Sequence, residues 1–132
     1  MEAIAVATPG DLTLTTVNVG GPDPGGLARF YSRLLDWPVR TEEPDWVVLR
    51  APGDGVGLAF QLEEPYEPPV WPAAPGEQAM MLHLEIGVRD LAAATDHALA
   101  CGAELADFQP QDDVRVCLDP AGHPFCLWLD ES

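Results

Sequence analysis

The chain has no lysine. Its 132 residues include six arginines against 22 aspartates and glutamates, a formal charge of -16 at pH 7. Phosphate backbones are bound through a basic footprint, which this balance does not supply, so nucleic acid is not expected as a partner. Anionic membrane surfaces are disfavoured for the same reason. Cationic and neutral small molecules remain open. Long apolar runs are missing too. No stretch approaches the ~20 residues of a membrane span. Met1 to Leu14 has neither the basic start nor the apolar run of a signal peptide. Cysteine is scarce: Cys101, Cys117 and Cys126 are an odd number without close pairing. That is the pattern of free thiols in a reducing compartment, so a cytoplasmic location is expected. The sequence also lacks Gly-x-Ser-x-Gly, Cys-x-x-Cys, His-Glu-x-x-His and a Walker loop. Gly53, Gly55 and Gly57 are followed by neither a helix signal nor Lys-Ser/Thr.

What is present is a repeat. A shift of 67 residues lays Thr15 to Leu35 on Leu82 to Gly102 without a gap. Val17 and Val19 fall on Leu84 and Ile86, Gly20 on Gly87, and Asp23 on Asp90. The same shift lays Val47 and Leu49 on Val114 and Val116, and Leu58, Phe60 and Leu62 on Phe125, Leu127 and Leu129. With 47% hydrophobic residues the chain can bury a core, and its length suits one domain built from two copies of a strand–helix–three-strand module. The first module is expected over 12–62 and the second over 79–130. Between them, 63–78 carries Pro65, Pro68, Pro69, Pro72 and Pro75, which bar a helix or central strand and predict an extended linker. Tyr66 and Trp71 in that linker either pin it to the body or wall a pocket.

Periodicity places the elements. Leu12 to Gly20, Val39 to Thr41, Trp46 to Ala51 and Gly57 to Leu62 are the expected strands of the first module. Met80 to Val88, Leu105 to Phe108, Asp113 to Leu118 and Phe125 to Leu129 are those of the second. The helices begin at N-caps Asp23, followed by Pro24, and Asp90. Met1 to Asp11 reads as a lead-in. Counting by two sorts each sheet into faces. The rows expected under the helices are apolar: Val17 and Val19, Val47 and Leu49, Leu58, Phe60 and Leu62, then Leu84 and Ile86, Val114 and Val116, Phe125, Leu127 and Leu129. The opposite rows are mixed: Thr16, Asn18, Trp46, Val48, Arg50, Ala59 and Gln61, then His83, Glu85, Asp113, Arg115, Cys117, Cys126 and Trp128. A mixed, aromatic face on a curved sheet set against its twin describes a ligand cavity.

The paired modules, the stretch Leu27 to Leu35, Phe60-Gln61, the linker from Tyr66 to Pro72, His83-Leu84-Glu85 and the Asp119-Pro-Ala-Gly-His-Pro-Phe-Cys-Leu turn ending at Leu127 together resemble the glyoxalase/bleomycin-resistance family. This is the vicinal oxygen chelate superfamily, in its short glyoxalase-like branch. The resemblance runs from about Leu12 to Leu129. It implies an α+β fold, two βαβββ modules paired into a cupped, barrel-like mixed sheet, in a homodimer. The family's enzymes hold a divalent metal at positions that fall here on Thr16, Ala59 or Gln61, His83 and Cys126. Only His83 is a good ligand as it stands, with Glu85 and Gln61 as nearby oxygens. Its drug-sequestering members bind their guests without metal.

Three readings follow, the third being a non-enzymatic domain whose cavity has decayed and which acts in assembly only. In the first, the chain is a metal-independent small-molecule binding protein, with no cofactor, that sequesters a bulky aromatic or cationic compound such as an antibiotic. The binding residues would be Asn18, Trp46, Gln61, Trp71, His83, Glu85, Arg115, Cys126 and Trp128. In the second, it is a metal-dependent lyase, isomerase, transferase or dioxygenase with His83 as ligand. His97 and His123 are read as a packing or surface residue and a structural turn residue.

Overall fold

The computed structural model describes residues 9–132. Residues 1–8 of the expected lead-in lie outside the described residues, and the lead-in ends in a short 3-10 turn, Pro9–Asp11. The first module comprises β1 (Thr16–Gly21), α1 (Pro24–Leu35), β2 (Val39–Glu43), β3 (Trp46–Leu49) and β4 (Gly57–Leu62). The second comprises β5 (Leu84–Val88), α2 (Leu91–Cys101), β6 (Glu104–Leu105), β7 (Val114–Leu118) and β8 (Pro124–Leu129). Each module makes one four-stranded sheet, in the orders β1-β4-β3-β2 and β5-β8-β7-β6. The first strand lies parallel to the last, and the remaining neighbours are antiparallel. The α+β fold of two βαβββ units is therefore present. The sheets do not close into one another, however: β1 and β5 are both edge strands.

Partner strands, which periodicity cannot see, set the strand lengths. β1 starts at Thr16 rather than Leu12 because its one partner, β4, begins at Gly57, opposite Thr16. β5 starts at Leu84 rather than Met80, where the paired part of β8 begins at Phe125. The alternation of Leu12 to Leu14 and of Met80 to Leu82 continues past the point where a ladder exists. At the other ends, β3 stops at Leu49 rather than Ala51 and β2 runs on to Glu43. β6 lies at Glu104–Leu105, opposite Leu118 and Cys117, rather than at Leu105 to Phe108.

Both helices start as their caps dictate. The Asp23 carboxylate accepts from Gly26 N at 3.0 Å, and that of Asp90 from Ala93 N at 3.0 Å. Each satisfies a backbone donor that has no partner within the helix. α2 ends at Gly102 with φ 117°, a left-handed stop that glycine adopts without steric cost.

One helix holds the two modules together. Phe30 and Tyr31 of α1 are fully buried. Tyr31 stacks on Phe60 of its own sheet, with centroids 5.5 Å apart, and meets Phe125 of the other sheet at 6.0 Å. Phe30 reaches Phe125 at 5.9 Å. The Tyr31 hydroxyl then donates to Asp119 Oδ2 at 2.7 Å. Asp119 is the one buried polar residue among the described residues. Its Oδ1 also accepts from Ala121 N at 2.9 Å and His123 N at 3.0 Å, and its carboxylate meets His123 Nδ1 at 2.9 Å. A buried carboxylate is tolerable only with such a full set of donors. Burial, and then Asp119, push the Tyr31 hydroxyl pKa well up. The modules thus pack on one another within a single chain, and His123 is a structural member of this turn.

Tyr66 pins the linker to the second module, and Val70 folds it back on its own end. The Tyr66 hydroxyl donates to Ala121 O at 2.9 Å and lies 3.1 Å from His123 Nε2. Val70 N donates to Gln78 O at 2.7 Å, beside a bridge between Val70 and Ala79. His97, on α2, places Nε2 3.2 Å from Leu34 O of α1.

The faces of β7 differ from the expectation. Val47 pairs with Phe60 in the first sheet, whereas Arg115, not Val114, pairs with Leu127 in the second. The repeat is therefore displaced by one residue along β7 only, and a slip of one turns every side chain to the other face. Cys117 joins the helix-side core opposite Phe125, while Val116, itself buried, lies on the other face of the sheet beside Cys126. Arg115 leaves the mixed face for the same reason. Its guanidinium donates to Asp112 O at 3.1 Å and Val114 O at 2.8 Å, next to its own loop.

Candidate functional site

The open face of the second sheet gathers most of the expected site residues. Glu85 of β5 pairs directly with Cys126 of β8, which puts a carboxylate beside a thiol. His83 lies just ahead of β5 and places Nε2 2.8 Å from Glu85 Oε2. The ligand atoms of His83, Glu85 and Cys126 all lie within 4.8 Å of one another. Burial, reinforced by the hydrogen bond to Glu85, pushes the Cys126 thiol pKa up to about 12. Cys126 is thus a protonated donor to the carboxylate near neutral pH, which removes it as a nucleophile. Glu85 itself is half exposed and receives both neighbours.

Aromatic rings surround this polar floor. Trp71 crosses from the linker and stacks on His83, with centroids 4.8 Å apart and planes at 30°. Phe108 meets the edge of Trp71 at 5.1 Å. Trp128 packs over Gly87, where an added Cβ would lie 3.1 Å from the indole. Val114, opposite Trp128, and Val116, opposite Cys126, fill the rest of the floor. Phe108, Val114 and Val116 were not among the expected site residues. Phe108 arrives through a long-range contact, and the valines through the slip in β7.

The remaining expected residues form a second group on the first sheet. Asn18 Nδ2 donates to Gln61 Oε1 at 2.7 Å, and Gln61 Nε2 donates to Glu63. Trp46 lies opposite Gln61 across β3 and β4. A cavity of about 330 Å³ lies between the two sheet edges, lined from one side by Asn18 and from the other by His83, with Tyr31 and His123 also on its wall. Arg115 belongs to neither group.

The metal positions implied by the family can be tested against these side chains. Ala59 offers a methyl group, fully buried, and the Thr16 hydroxyl donates to Thr15 Oγ1 at 3.3 Å. The first module therefore supplies no strong ligand at these positions. His83, Glu85 and Cys126, all from the second module, form a cluster that could hold a metal ion. An imidazole, a carboxylate and a cysteine that gave up its proton on binding would be a donor set suited to zinc.

Comparison with known proteins agrees with this architecture. A family model described as a glyoxalase-like domain matches residues 16–128. Among solved structures, a glyoxalase/bleomycin resistance protein/dioxygenase family enzyme from Burkholderia phytofirmans PsJN superposes with a TM-score of 0.68 at 19% identity, covering 89% of this chain and 98% of that one. A glyoxalase-related enzyme from Fulvimarina pelagi gives 0.65 at 19% identity, over 89% and 88% of the two chains. A glyoxalase family protein from Enterococcus faecalis gives 0.65 at 20% identity, over 88% and 96%. At these identities the structural likeness speaks for the fold alone. Comparison with curated proteins gave no match. No helix among the described residues is long and apolar enough to cross a membrane. With its family match over most of the chain and its paired βαβββ modules, the chain belongs to the glyoxalase-like domain family of the vicinal oxygen chelate superfamily.

Proposed function

We propose that the protein is a metal-independent small-molecule binding protein that sequesters a planar aromatic cation, an antibiotic being one such compound. The observation that carries this reading is the composition of the second sheet's open face. Glu85 is a half-exposed carboxylate walled by Trp71 and Trp128, and the register of β7 turns Arg115 away from it. Aromatic faces attract cations, and a carboxylate on the same floor adds an opposite charge. Cys126 and His83 already satisfy Glu85 by donating protons, so the cluster needs no metal ion to be hydrogen-bonded. Elemental analysis of protein incubated with Zn, Mn, Ni and Fe(II) tests the point. Less than a tenth of an equivalent of metal is expected, as a rough threshold for loss during desalting. Near-stoichiometric metal would instead favour the second reading.

That second reading, a metal-dependent enzyme of the superfamily, is favoured by one observation: the ligand atoms of His83, Glu85 and Cys126 converge within 4.8 Å. A divalent ion held there would act as a Lewis acid on substrate oxygens. The chain's own contribution would be Trp71 and Trp128, which would orient a flat substrate over the floor.

The working unit in this proposal is a homodimer in the cytoplasm. β1 and β5 present unpaired edges, and the segments that lead into them expose Leu12 (74%), Leu14 (72%), Met81 (80%) and Leu82 (84%). Exposed edges with large apolar side chains are normally covered, and the paired sheets of a second copy offer the same edges in return. The three buried free cysteines suit a reducing compartment. A Met81→Glu/Leu82→Glu double variant is expected to elute as a monomer in light-scattering chromatography, with its circular dichroism unchanged. An unaltered mass would reject this interface.

A further inference from the structure

The largest cavity among those described shares no lining residue with the His83 cluster and lies at the end of the first sheet where Thr16 pairs with Gly57. It measures about 630 Å³, and Thr13, Thr15, Thr16, Arg40, Arg50 and Asp54 are its polar side chains. Arg40 and Arg50 are two of only six cations in a chain with 22 acids. Both are exposed, and neither they nor the other four arginines form an ion pair among the described residues. What sets these two apart is that they line one hollow, together with three threonines.

The backbone supplies a second, independent sign. Val39 pairs with Leu49 and Thr41 with Val48, so Arg40 is the extra residue of a bulge in β2. A bulge of this kind re-aims a side chain and interrupts the ladder. Next to it, Arg50 N donates to Pro38 O at 3.0 Å, which ties the residue just past the end of β3 to the start of β2. The second module has no counterpart. Asp107 stands at the place of Arg40 in the repeat, and Met80 and Leu82 at those of Thr13 and Thr15. The polar hollow is therefore a feature of the first copy and not a by-product of the module.

We propose that this hollow is a separate binding site for a small molecule bearing an oxyanion, a phosphate monoester or a carboxylate. Arg40 and Arg50 would hold the anion and the threonine hydroxyls would complete its hydrogen bonds. Planar guanidinium groups match oxyanions through paired N–H donors. On a chain of charge -16 the general field repels anions, and two arginines lining one hollow make that place locally attractive. Asp54, which also lines the hollow, opposes an anion and would favour ligands whose oxyanion lies at the arginines. The site does not depend on the function proposed for the His83 cluster.

The test uses the full chain and follows the arginine Nε–H resonances in a titration with inorganic phosphate, set against sodium chloride at matched ionic strength. Saturable shifts at Arg40 and Arg50 are expected, with Arg89 unmoved. Arg40→Gln and Arg50→Gln should each weaken phosphate binding roughly tenfold, the loss of one charge-assisted contact, and Arg89→Gln should leave it unchanged. Titration with glycerol phosphate and with malonate separates the two sources: whichever binds tighter than inorganic phosphate names the class. Linear shifts shared by all six arginines, or equal phosphate affinity in the Arg40→Gln/Arg50→Gln double variant, would overturn the proposal.

Discussion

Asp119→Ala is expected to cost the protein about 3–5 kcal/mol, the scale of breaking a buried charged network by removing one member. The side chain is buried and gathers donors from both modules and from the turn that begins β8. Its loss strands the Tyr31 hydroxyl inside the core and frees the turn that Tyr66 uses to hold the linker. Tyr31→Phe removes one of those donors and keeps the ring between Phe60 and Phe125, so a smaller loss, about 1–3 kcal/mol, is expected. The two changes share a partner, so their costs should not add. Urea unfolding of the wild type, both single variants and the double variant measures each term. A loss under about 1 kcal/mol for Asp119→Ala, the level of an ordinary surface change, would show that the modules are not joined through this contact.

Glu85→Gln is expected to weaken binding of a planar cation by about 10- to 100-fold, the worth of one charge contact on a partly desolvated aromatic floor. A neutral analogue of the same shape should lose little. The same variant has a second readout. Glu85 is one of the groups that hold the Cys126 thiol pKa at about 12, both as hydrogen-bond acceptor and through its charge. Removing that charge lowers the thiol pKa, so more thiolate is present at alkaline pH and Cys126 should alkylate faster than in the wild type. Cys117, whose thiol is held up to about 11 by burial alone, should not respond. Equal alkylation rates at Cys126 in the two proteins would show that its thiol and the Glu85 carboxylate are not coupled.

The sequence carried the modules because each repeats a strong local pattern. The Asp caps, the stripe of Leu27, Phe30 and Tyr31, and the alternation in β4 and β8 all arise within short windows, and both caps form where expected. β4 and β8 even begin and end at places related by the repeat. β7 was not legible for a physical reason. Val114, Val116, Cys117 and Leu118 are all apolar, so alternation gives no phase, and the hydrogen bonds to β8 decide it. The single slip moved Arg115 off the open face and placed Val116 there. In the site, His83, Glu85 and Cys126 were found because β5 and β8 keep their phase. The stacking of Trp71 on His83 joins a linker to a strand, and no short window contains it. Tyr31 and Asp119 meet across 88 residues, and each had an adequate local reading as a core ring and a turn aspartate.

The central claim is that the His83, Glu85 and Cys126 floor beneath Trp71 binds an aromatic cation without metal. It is tested most directly by tryptophan-fluorescence titration in the presence of a chelator, with N-methylacridinium against uncharged acridine. Saturable quenching by the cation is predicted, at least roughly tenfold tighter than by the neutral ring, and reduced in Trp71→Phe. Equal affinity for the two dyes, or binding that appears only after a divalent metal is restored, would contradict it.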